Sequence, residues 1–326
     1  MIEYSAKSSQ EWNRLGSRKV AGFALNQIAK DHPDLMVLTA DFAESAGLSL
    51  FKENHKDQFL DVGIAEQNMI GVAAGLALSG NNVFVFSFTP FATMRCLEAI
   101  RSYVGYMNLN VKIIGMASGV SLGYQGNTHY GLEDIALLRT IPNMKVISPS
   151  DCTETVKTLE QLANTNGPAY IRLTGTVGSA SVCKNYDDFE IGKANVLKKG
   201  EKVAIISTGT LVAETLRATR ALEKKGIFPT VIDMHTIKPL DKECLNMVFK
   251  EHDIIYTIEE HSIIGGLGSA IAEFMVDNKY QNQLIRLGLP NQFIEVQKYP
   301  NILHEYELDG PGILNKVLET YNEIIK

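Results

Sequence analysis

Glu66 is the residue whose surroundings most suggest chemistry. It stands in FLDVGIAEQNMIGVAAGLALSG, residues 59–80, where a strand-like run and a glycine precede small and apolar residues. An acid in the first turn of a helix can simply be favoured by the helix dipole. It can also be a catalytic acid in a dry site, where desolvation raises the pKa of its carboxyl group. These residues alone favour the first interpretation, because structural acids outnumber catalytic ones.

A second candidate is His129, in GVSLGYQGNTHYGLED, residues 119–134. Four glycines punctuate this stretch, and it follows the strand candidate VKIIGMAS. It therefore lies at the carboxyl end of a strand, where open α/β sheets place their ligands. A histidine there can transfer protons near neutral pH, although a solvated histidine on a surface loop is an equally good interpretation.

The same stretch contains a GxSxG pattern around Ser121, which resembles a nucleophile elbow. That motif needs a helix directly after the serine to position it. Here Gly123, Gln125, Gly126 and Asn127 follow instead. We therefore expect no serine hydrolase.

Aromatic and glycine-rich stretches follow two further strand candidates. Phe88 and Phe91 lie in SFTPFATMRCLEAIR, around a strand end and a helix start. Such rings are usually core, but a phenylalanine face can also stack on a planar heterocycle. The glycines of EEHSIIGGLGSAIAEF do not match GxGxxG, so close helix–strand packing explains them better.

Composition limits the class of protein. The 326 residues are enough for about two domains. A net charge of −6, without a basic stripe, argues against a nucleic-acid binder. No apolar run approaches the length of a membrane span, and no signal peptide is visible at the amino terminus. The four cysteines are scattered without metal-binding spacing, which favours a reduced, cytoplasmic setting.

Short apolar runs alternate with helix-length segments along the whole chain. Strand candidates of the first half are LMVLTAD, QFLDVG, NNVFVFSF, VKIIGMAS, MKVISPS and AYIRLTG. The pattern lapses near residues 176–195 and restarts with KVAIISTGT, FPTVIDMHTIKP and DIIYTIEE. This alternation predicts an α/β fold of two domains, each a mostly parallel sheet flanked by helices, at 1–178 and 195–326 with a linker at 179–194.

Taken in order, DVGIAEQNMIGVAAGLAL, GNTHYGLED, IPNMKVISPSD and GPAYIRLTG resemble the transketolase family of thiamine-diphosphate enzymes. STGTLVAETLRATRALEKKG and EEHSIIGGLGSAIAEF resemble the family's carboxyl-terminal domain. No single motif is decisive, but their order and spacing extend over nearly the whole chain. The resemblance implies a pyrimidine-binding domain at 1–178, a transketolase C-terminal-like domain at 195–326, and transfer of a two-carbon ketol unit between sugars.

Only the carboxyl-terminal half of a full-length transketolase is matched. The chain has no GDG followed by a downstream asparagine, which is the family's magnesium-diphosphate motif. The resemblance therefore implies the second subunit of a split transketolase. An amino-terminal partner subunit would supply Mg²⁺ and the diphosphate site, in a heterotetramer built on a dimer of pyrimidine-binding domains.

The resemblance also assigns the cofactor side of the site. It implies that Glu66 hydrogen-bonds the ring nitrogen of the cofactor's aminopyrimidine and drives the tautomer change that activates the cofactor. Phe91 matches the aromatic residue that stacks on the pyrimidine, and Asp41 an acid near the cofactor and the interface. The small residues of IGVAAGLAL would let helices approach closely at that interface.

The substrate side is matched in part. His129 corresponds to a histidine at the reacting carbonyl and hydroxyl groups, while Ser45 and Arg18 correspond to ligands of the substrate phosphate. Gln125, however, stands where transketolases have an aspartate that contacts a substrate hydroxyl group. The resemblance therefore implies the reaction type more firmly than the substrate.

Two further phosphate contacts of the family are missing. Ala117 stands in place of a histidine, and Gly175 in place of an arginine. Arg172, close to the second of these positions, is a candidate to compensate. A sugar without a phosphate, or one that is sulfonated or branched, would fit these changes.

Three alternatives stay open. Deoxyxylulose-phosphate synthases share similar stretches but have an RAYDQ-like sequence where this chain has ATMRC. Beta subunits of 2-oxo-acid dehydrogenases have this length but an AQHSQ-like loop in place of GNTHYGLED. A non-catalytic assembly partner is a third, against which the joint presence of Glu66, Phe91 and His129 speaks.

Overall fold

Two mostly parallel sheets flanked by helices make up the chain, as the alternating sequence pattern predicts. The computed structural model describes residues 2–174, 180–182 and 189–324. The helices of the first half are α1 (Ala6–Leu15), α2 (Ser17–Ile28), α3 (Ser49–Asn54), α4 (Glu66–Leu78), α5 (Thr89–Ala92), α6 (Leu97–Ala99), α7 (Asp134–Arg139) and α8 (Cys152–Ala163). Its strands are β1 (Leu35–Thr39), β2 (Phe59–Asp61), β3 (Asn82–Phe88), β4 (Val111–Met116), β5 (Lys145–Ile147) and β6 (Ala169–Leu173).

The second half repeats the alternation of strands and helices. Its strands are β7 (Asn195–Lys198), β8 (Lys202–Ser207), β9 (Thr230–Asp233), β10 (Thr236–Lys238), β11 (His252–Ser262) and β12 (Gln283–Leu289). Its helices are α9 (Leu211–Glu223), α10 (Lys242–Glu251), α11 (Leu267–Asp277), α12 (Tyr299–Glu305) and α13 (Gly310–Ile324).

The first sheet has seven strands in the order β10-β5-β6-β4-β3-β1-β2. All neighbours are parallel except β10 and β5, which are antiparallel. Central strands such as β4 are buried along their whole length, because helices cover both faces of a parallel sheet. The six strands predicted for the first half are therefore all present, and their continuous apolar runs are the reason that the pattern predicted them.

The second sheet has five strands in the order β12-β11-β8-β9-β7. Sequence analysis predicted its three central strands but neither of its edges. Strands β7 and β12 are partly exposed along most of their length, so they have no continuous apolar run. Edge strands of this kind resemble loops in a hydrophobicity pattern.

The two halves are not wholly separate. Strand β10 comes from the second half of the chain but pairs with β5 of the first sheet. Of the predicted linker, 180–182 and 189–194 are described, and the rest lies outside the described residues. The boundaries 1–178 and 195–326 stay predictions. Among the described residues, no helix is long and apolar enough to span a membrane.

Two fully buried acids face each other where the halves meet. Burial raises the pKa of Asp233, on β9, well above its usual range, and the charge of Glu154 adds to this effect. Burial also raises the pKa of Glu154, on α8. Glu154 accepts hydrogen bonds from the amide and hydroxyl groups of Ser150 and from the side-chain amide of Asn195.

Because folding raises both pKa values, this pair should make the free energy of unfolding decrease as pH rises. A carboxyl group whose pKa is raised by folding stabilises the fold below its unfolded pKa, and that contribution is lost as pH rises through the folded pKa. Asp233→Asn keeps the shape and removes this titration. As pH rises from about 5 to about 8, we expect the native chain to lose about 1–2 kcal/mol more of its free energy of unfolding than the variant does. Urea unfolding at both pH values measures this difference.

The exposed Asp277 provides a control, since Asp277→Asn should change stability equally at both pH values. An Asp233→Asn effect that is independent of pH would contradict the prediction.

Candidate active site

Four neighbouring strands deliver the candidate residues to one edge of the first sheet. Strands β2, β1, β3 and β4 lie side by side in that order. The segments that follow their carboxyl ends contain Glu66, Asp41, Phe91 and His129. Because the carboxyl ends of parallel strands share one edge, residues far apart in sequence meet there.

Glu66 is the first residue of α4 and is only 3% exposed. Its Oε2 atom accepts a hydrogen bond from the guanidinium of Arg95 at 2.8 Å. Its Oε1 atom accepts no hydrogen bond from any residue that the structure describes. The acid thus lies in the first helical turn, as the first interpretation states, and is buried, as the second requires. Arg95 supplies a counter-charge that sequence analysis did not anticipate.

The guanidinium of Arg95 also lies over the ring of Phe91, 4.2 Å from its centroid. One flat group that carries N–H donors, the guanidinium of Arg95, thus contacts both the Glu66 carboxylate and the Phe91 ring. Arg95 occupies this position in the structure.

A series of ring contacts continues from Phe91. The rings of Phe91 and His129 are 5.3 Å apart in an edge-on arrangement. Phe88 lies 6.2 Å from Phe91 and 4.6 Å from Phe42. Sequence analysis could not decide whether Phe88 and Phe91 were core residues. Both are half-buried and belong to the wall of the site.

Asp41 lies in the loop that begins this wall. Its side chain is exposed, and its backbone has a φ of 64°, in the left-handed region. The backbone N–H groups of Asp41 and Gly63 both donate to Oδ1 of Asp61, at 2.9 and 3.0 Å. Asp61, which sequence analysis missed, therefore joins the turns that follow β1 and β2. A carboxylate at a strand end, next to a glycine, is the signal that could have indicated it.

Arg18 and Ser45 lie on an adjoining part of the same edge. Arg18 is on α2, where burial lowers its pKa, and it forms no ion pair with the described residues. Ser45 is exposed and donates to the carbonyl of Phe42 at 3.2 Å. Helix α2 and the loop after β1 meet at a close backbone contact, since a Cβ on Gly22 would lie 2.2 Å from the carbonyl oxygen of Gly47. No contact joins Arg18 or Ser45 to Phe91 or His129 among the described residues.

Gln125 and His129 lie on the loop after β4. Gln125 is exposed and ends a short 3-10 turn, Gly123–Gln125. Nδ1 of His129 is hydrogen-bonded to Oγ1 of Thr128 at 2.9 Å, and no described residue bonds its Nε2. Nε2 is therefore the ring atom that can exchange a proton with a ligand.

The departures from the transketolase pattern can be placed in part. Ala117 is buried at the end of β4 with a φ of 54°. Gly175 lies outside the described residues. Arg172 is only 3% exposed, and it donates to Asp134 Oδ2 and to the carbonyl of Glu260, both at 2.8 Å. Its charge is used inside the fold, so it cannot compensate for a missing phosphate ligand.

Ser121 is no nucleophile in this arrangement. Its hydroxyl group donates to the carbonyl oxygens of Ser118 and Thr174, at 2.9 and 3.0 Å. A short 3-10 turn follows it, rather than the helix that a nucleophile elbow needs. The expectation against a serine hydrolase agrees with this geometry.

Arg95 is the residue that sequence analysis missed most clearly. It lies in the ATMRC stretch, four residues after Phe91. Arg95 lies between α5 and α6 rather than on a helix, so its contact with the Phe91 ring does not follow from helical spacing. The nearness of an arginine to an aromatic residue in the sequence is a local signal that could have indicated it.

The residues present suit half of a thiamine cofactor. The carboxylate of Glu66 and the ring of Phe91 suit an aminopyrimidine, which is flat and carries ring nitrogens, at the place that the Arg95 guanidinium occupies. A magnesium-diphosphate group is different. The described residues contain no group of three or more His, Cys, Asp or Glu side chains that could hold a metal ion.

The site lies beside an open surface. In the described part of the chain, concavities of about 410 to 610 Å³ are lined by none of Glu66, Phe91 and His129, although one is lined by Ala43 and Glu44 of the loop after β1. Along α4, a Cβ added to Gly71 or Gly75 would meet nothing within 4 Å. An uncovered face of small residues directly after Glu66 leaves room for another chain to approach closely.

Comparison with protein families gives two matches. The model of the transketolase pyrimidine-binding domain matches residues 14–176. The model of the transketolase C-terminal domain matches residues 192–313.

Curated relatives match over most of their length. A "Putative transketolase C-terminal section" of Methanocaldococcus jannaschii is 40% identical over 306 residues, covering 93% of this chain and 96% of the relative. One of the subunits named for an apulose-4-phosphate transketolase, from Phocaeicola vulgatus, is 38% identical, covering 94% and 98%. A "6-deoxy-6-sulfo-D-fructose transketolase subunit" of Clostridium sp. is 38% identical, covering 90% and 91%.

Solved structures agree with this match. A structure described as "Split gene transketolase, inactive beta4 tetramer" has a TM-score of 0.83 and 36% identity, covering 94% of this chain and 97% of its own. Transketolase from Campylobacter jejuni has a TM-score of 0.78 at 21% identity and supports the fold alone. Against that longer protein, the chain spans 46% of the length.

The ion pair between Glu66 and Arg95 should be measurable as a coupling. Removing Arg95 leaves a buried carboxylate without its counter-charge, so we expect Arg95→Ala to lower the free energy of unfolding by about 1–2 kcal/mol. In a Glu66→Gln background, the same change should cost less, with a coupling energy of about 0.5–1.5 kcal/mol in a double-mutant cycle from urea unfolding.

Arg101→Ala provides the control, because Arg101 is exposed and forms no ion pair among the described residues. Equal costs of Arg95→Ala in both backgrounds would show that the two groups do not interact.

Proposed function

Because the chain belongs to the transketolase family, we propose that it is the subunit of a split transketolase that binds the pyrimidine half of thiamine diphosphate. The enzyme is a transferase that moves a two-carbon ketol unit between sugars or sugar derivatives. The observation that carries the proposal is that Glu66 and Phe91 both contact the flat guanidinium of Arg95, next to His129 at one sheet edge; the pyrimidine would take the place of that guanidinium.

We assign each side chain the role that the family resemblance implies and that its contacts allow. Thiamine diphosphate, when bound, supplies an acidic thiazolium carbon that can add to a ketose carbonyl group. Glu66 holds a proton between its free Oε1 atom and the pyrimidine ring nitrogen. Phe91 orients the pyrimidine by stacking, and His129 moves a proton through Nε2 at the carbonyl and hydroxyl groups of the substrate.

The remaining site residues are proposed for binding. Arg18 on α2 and Ser45 on the neighbouring loop suit the anionic end of a substrate, since an arginine without an ion pair is available to an anion. Asp41 lies near the cofactor edge and the open face. Gln125, exposed at the end of the Gly123–Gln125 turn, contacts substrate hydroxyl groups.

An amino-terminal partner subunit completes the enzyme in this proposal. It contributes Mg²⁺ and the diphosphate site, which agrees with the missing GDG motif and with the lack of a metal-binding group among the described residues. The open face of α4, with Gly71 and Gly75, takes part in an assembly of two pyrimidine-binding domains and two partner subunits. The relatives named as subunits or as a split-gene protein support this division.

The alternatives are less well supported. The chain is 33–36% identical to several deoxyxylulose-phosphate synthases but spans only about half of their length. A non-catalytic assembly partner has no need for Glu66, Phe91 and His129 in mutual reach. We further propose a cytoplasmic location, which agrees with the free thiols of the described cysteines, Cys96, Cys152 and Cys244.

The isolated chain should neither bind thiamine diphosphate tightly nor turn over. Calorimetry with cofactor and Mg²⁺ is expected to show tight binding only when the amino-terminal partner is present. In the assembled enzyme, exchange of the thiazolium C2 proton for deuterium should be fast, and Glu66→Gln should slow it by about 100-fold or more, because the amide cannot deliver the proton.

Ser121→Ala provides the matched control and should leave the exchange rate unchanged. Micromolar binding by the isolated chain would contradict the division between subunits, and an unchanged rate in Glu66→Gln would return Glu66 to a structural role.

We also propose that the donor differs from common sugar phosphates in stereochemistry or in its terminal group. Gln125 offers a neutral amide, with donors as well as an acceptor, where transketolases present a carboxylate. Ala117 and Gly175 remove two further polar contacts. Two relatives are named for apulose 4-phosphate and for 6-deoxy-6-sulfo-D-fructose, which supports varied substrates among split chains.

Gln125→Asp should therefore change donor preference. A hydrogen bond gained or lost at a substrate hydroxyl group is worth about 1–3 kcal/mol, so kcat/KM for individual ketoses should shift by roughly 10- to 100-fold. The measurement is kcat/KM over a panel of ketose donors and aldose acceptors. If xylulose 5-phosphate is the best donor and the substitution alters nothing, Gln125 carries no information about the substrate.

A further inference from the structure

The loop between Gly119 and Gly131 carries both Gln125 and His129, and it contacts the second half of the chain as well as its own domain. Its two ends are joined by a backbone bridge, with Gly119 and Gly131 exchanging hydrogen bonds of 2.9 and 3.0 Å. Between these ends the chain has only the short turn Gly123–Gln125. A loop of this kind is ordered only by what it packs against.

The base of the loop is held by Glu260, on β11 of the second half. Its carboxylate accepts from the backbone N–H of Val120 at 2.8 Å, and from Tyr299 and Thr210 at 2.9 and 3.2 Å. The approach is so close that a Cβ on Gly119 would lie 2.0 Å from Oε1 of Glu260, so only glycine fits there.

The tip of the loop is held by Asn127. Its side-chain amide donates to the carbonyl oxygen of Ile294 at 2.8 Å, and its side-chain oxygen accepts from the N–H of Ile294 at 2.9 Å. Both backbone groups of one residue are thereby paired with one side chain. Ile294 itself is only 1% exposed, so its backbone groups depend on these bonds, although Asn127 lies at the exposed tip of the loop.

Apolar packing connects the same two regions. Val120 and Tyr130, near the two ends of the loop, are buried in one cluster with Ile258, Leu289 and Ile294 of the second half. A Cβ on Gly126 would lie 2.9 Å from Val296. The loop is therefore packed against the core of the second half of the chain.

We propose that the carboxyl-terminal half positions the loop of residues 119–131, here called the catalytic loop. Asn127 is the positioning residue of this loop. The proposal rests on the assignment of His129 and Gln125 to the substrate side of the active site. Asn127 lies two residues from each of them, so the pair of hydrogen bonds to Ile294 sets where both side chains point. A displacement of about 1 Å at such groups can cost about 100-fold in rate.

The test compares Asn127→Ala with Asn282→Ala. Asn282 bonds the carbonyl oxygens of Phe249 and His252 at 2.8 and 2.5 Å, at the opposite end of β11. The Asn282→Ala variant therefore loses a similar pair of hydrogen bonds to the backbone, and neither bond involves the loop. In the assembled enzyme, we expect Asn127→Ala to lower kcat by roughly 10- to 100-fold and Asn282→Ala to leave it within about three-fold of wild type.

A second readout separates positioning from general damage. Cofactor activation depends on Glu66, so thiazolium C2 exchange should stay within about three-fold of wild type in Asn127→Ala. Asn127→Asp keeps the acceptor for the Ile294 N–H but loses the donor, and its kcat should lie between those of the wild type and the alanine variant.

A third readout needs no activity. Hydrogen–deuterium exchange of peptides spanning residues 119–131 in the purified chain should be faster in Asn127→Ala and unchanged in Asn282→Ala. Unchanged protection of the loop would overturn the proposal, as would a wild-type kcat in Asn127→Ala or a parallel loss of C2 exchange. If the wild-type enzyme shows no thiazolium C2 exchange at all, the proposed function fails. The hydrogen–deuterium exchange of the loop peptides still decides in that case whether Asn127 orders the loop.

Discussion

The buried guanidinium of Arg172 forms hydrogen bonds that join the two halves of this chain. From β6 it donates to Asp134 at 2.8 Å, to the carbonyl oxygen of Gly131 at 3.0 Å and to that of Glu260 at 2.8 Å. Asp134 also accepts from the hydroxyl group of Tyr170 at 2.6 Å. A buried charge is tolerated only when its donors are paired, so the first sheet, the catalytic loop and β11 must come together at this point.

This requirement explains why the site and the second half of the chain cannot be treated separately. Gly131 ends the loop that carries His129, and Glu260 lies on the strand that supports the base of the same loop. Arg172 therefore links the end of the loop to its support. Because its donors are used in these hydrogen bonds, Arg172 is not available to bind substrate.

The other side of the site depends on the sheet itself. Glu66 begins α4, which has a buried face in the core of the sheet, and Phe91 follows β3, which is buried along nearly its whole length, so both have little freedom of position. The acid and the ring are thus placed by a rigid element, whereas His129 and Gln125 are placed by a loop. A carboxylate that is buried in one chain, with one oxygen free and an open helix face beside it, suits a site that two chains share.

The sequence by itself determined the α/β class, the central strands of both sheets and the family. Continuous apolar runs such as NVFVFSF and ordered motifs around Glu66 and His129 are local features, and local features can be recognised without coordinates. The partly exposed edge strands β7 and β12 lack that local signal and were missed.

Only the tertiary structure decided how the candidate residues are used. Arg95 pairs with Glu66 across 29 positions, Arg172 turns inward to Asp134, and Asn127 bonds Ile294 across 167 positions. Hydrogen bonds and ion pairs of this kind depend on which donors and acceptors folding buries side by side. Spacing along the chain carries no information about such neighbours, because the sheet order that creates them is set by packing of the whole molecule.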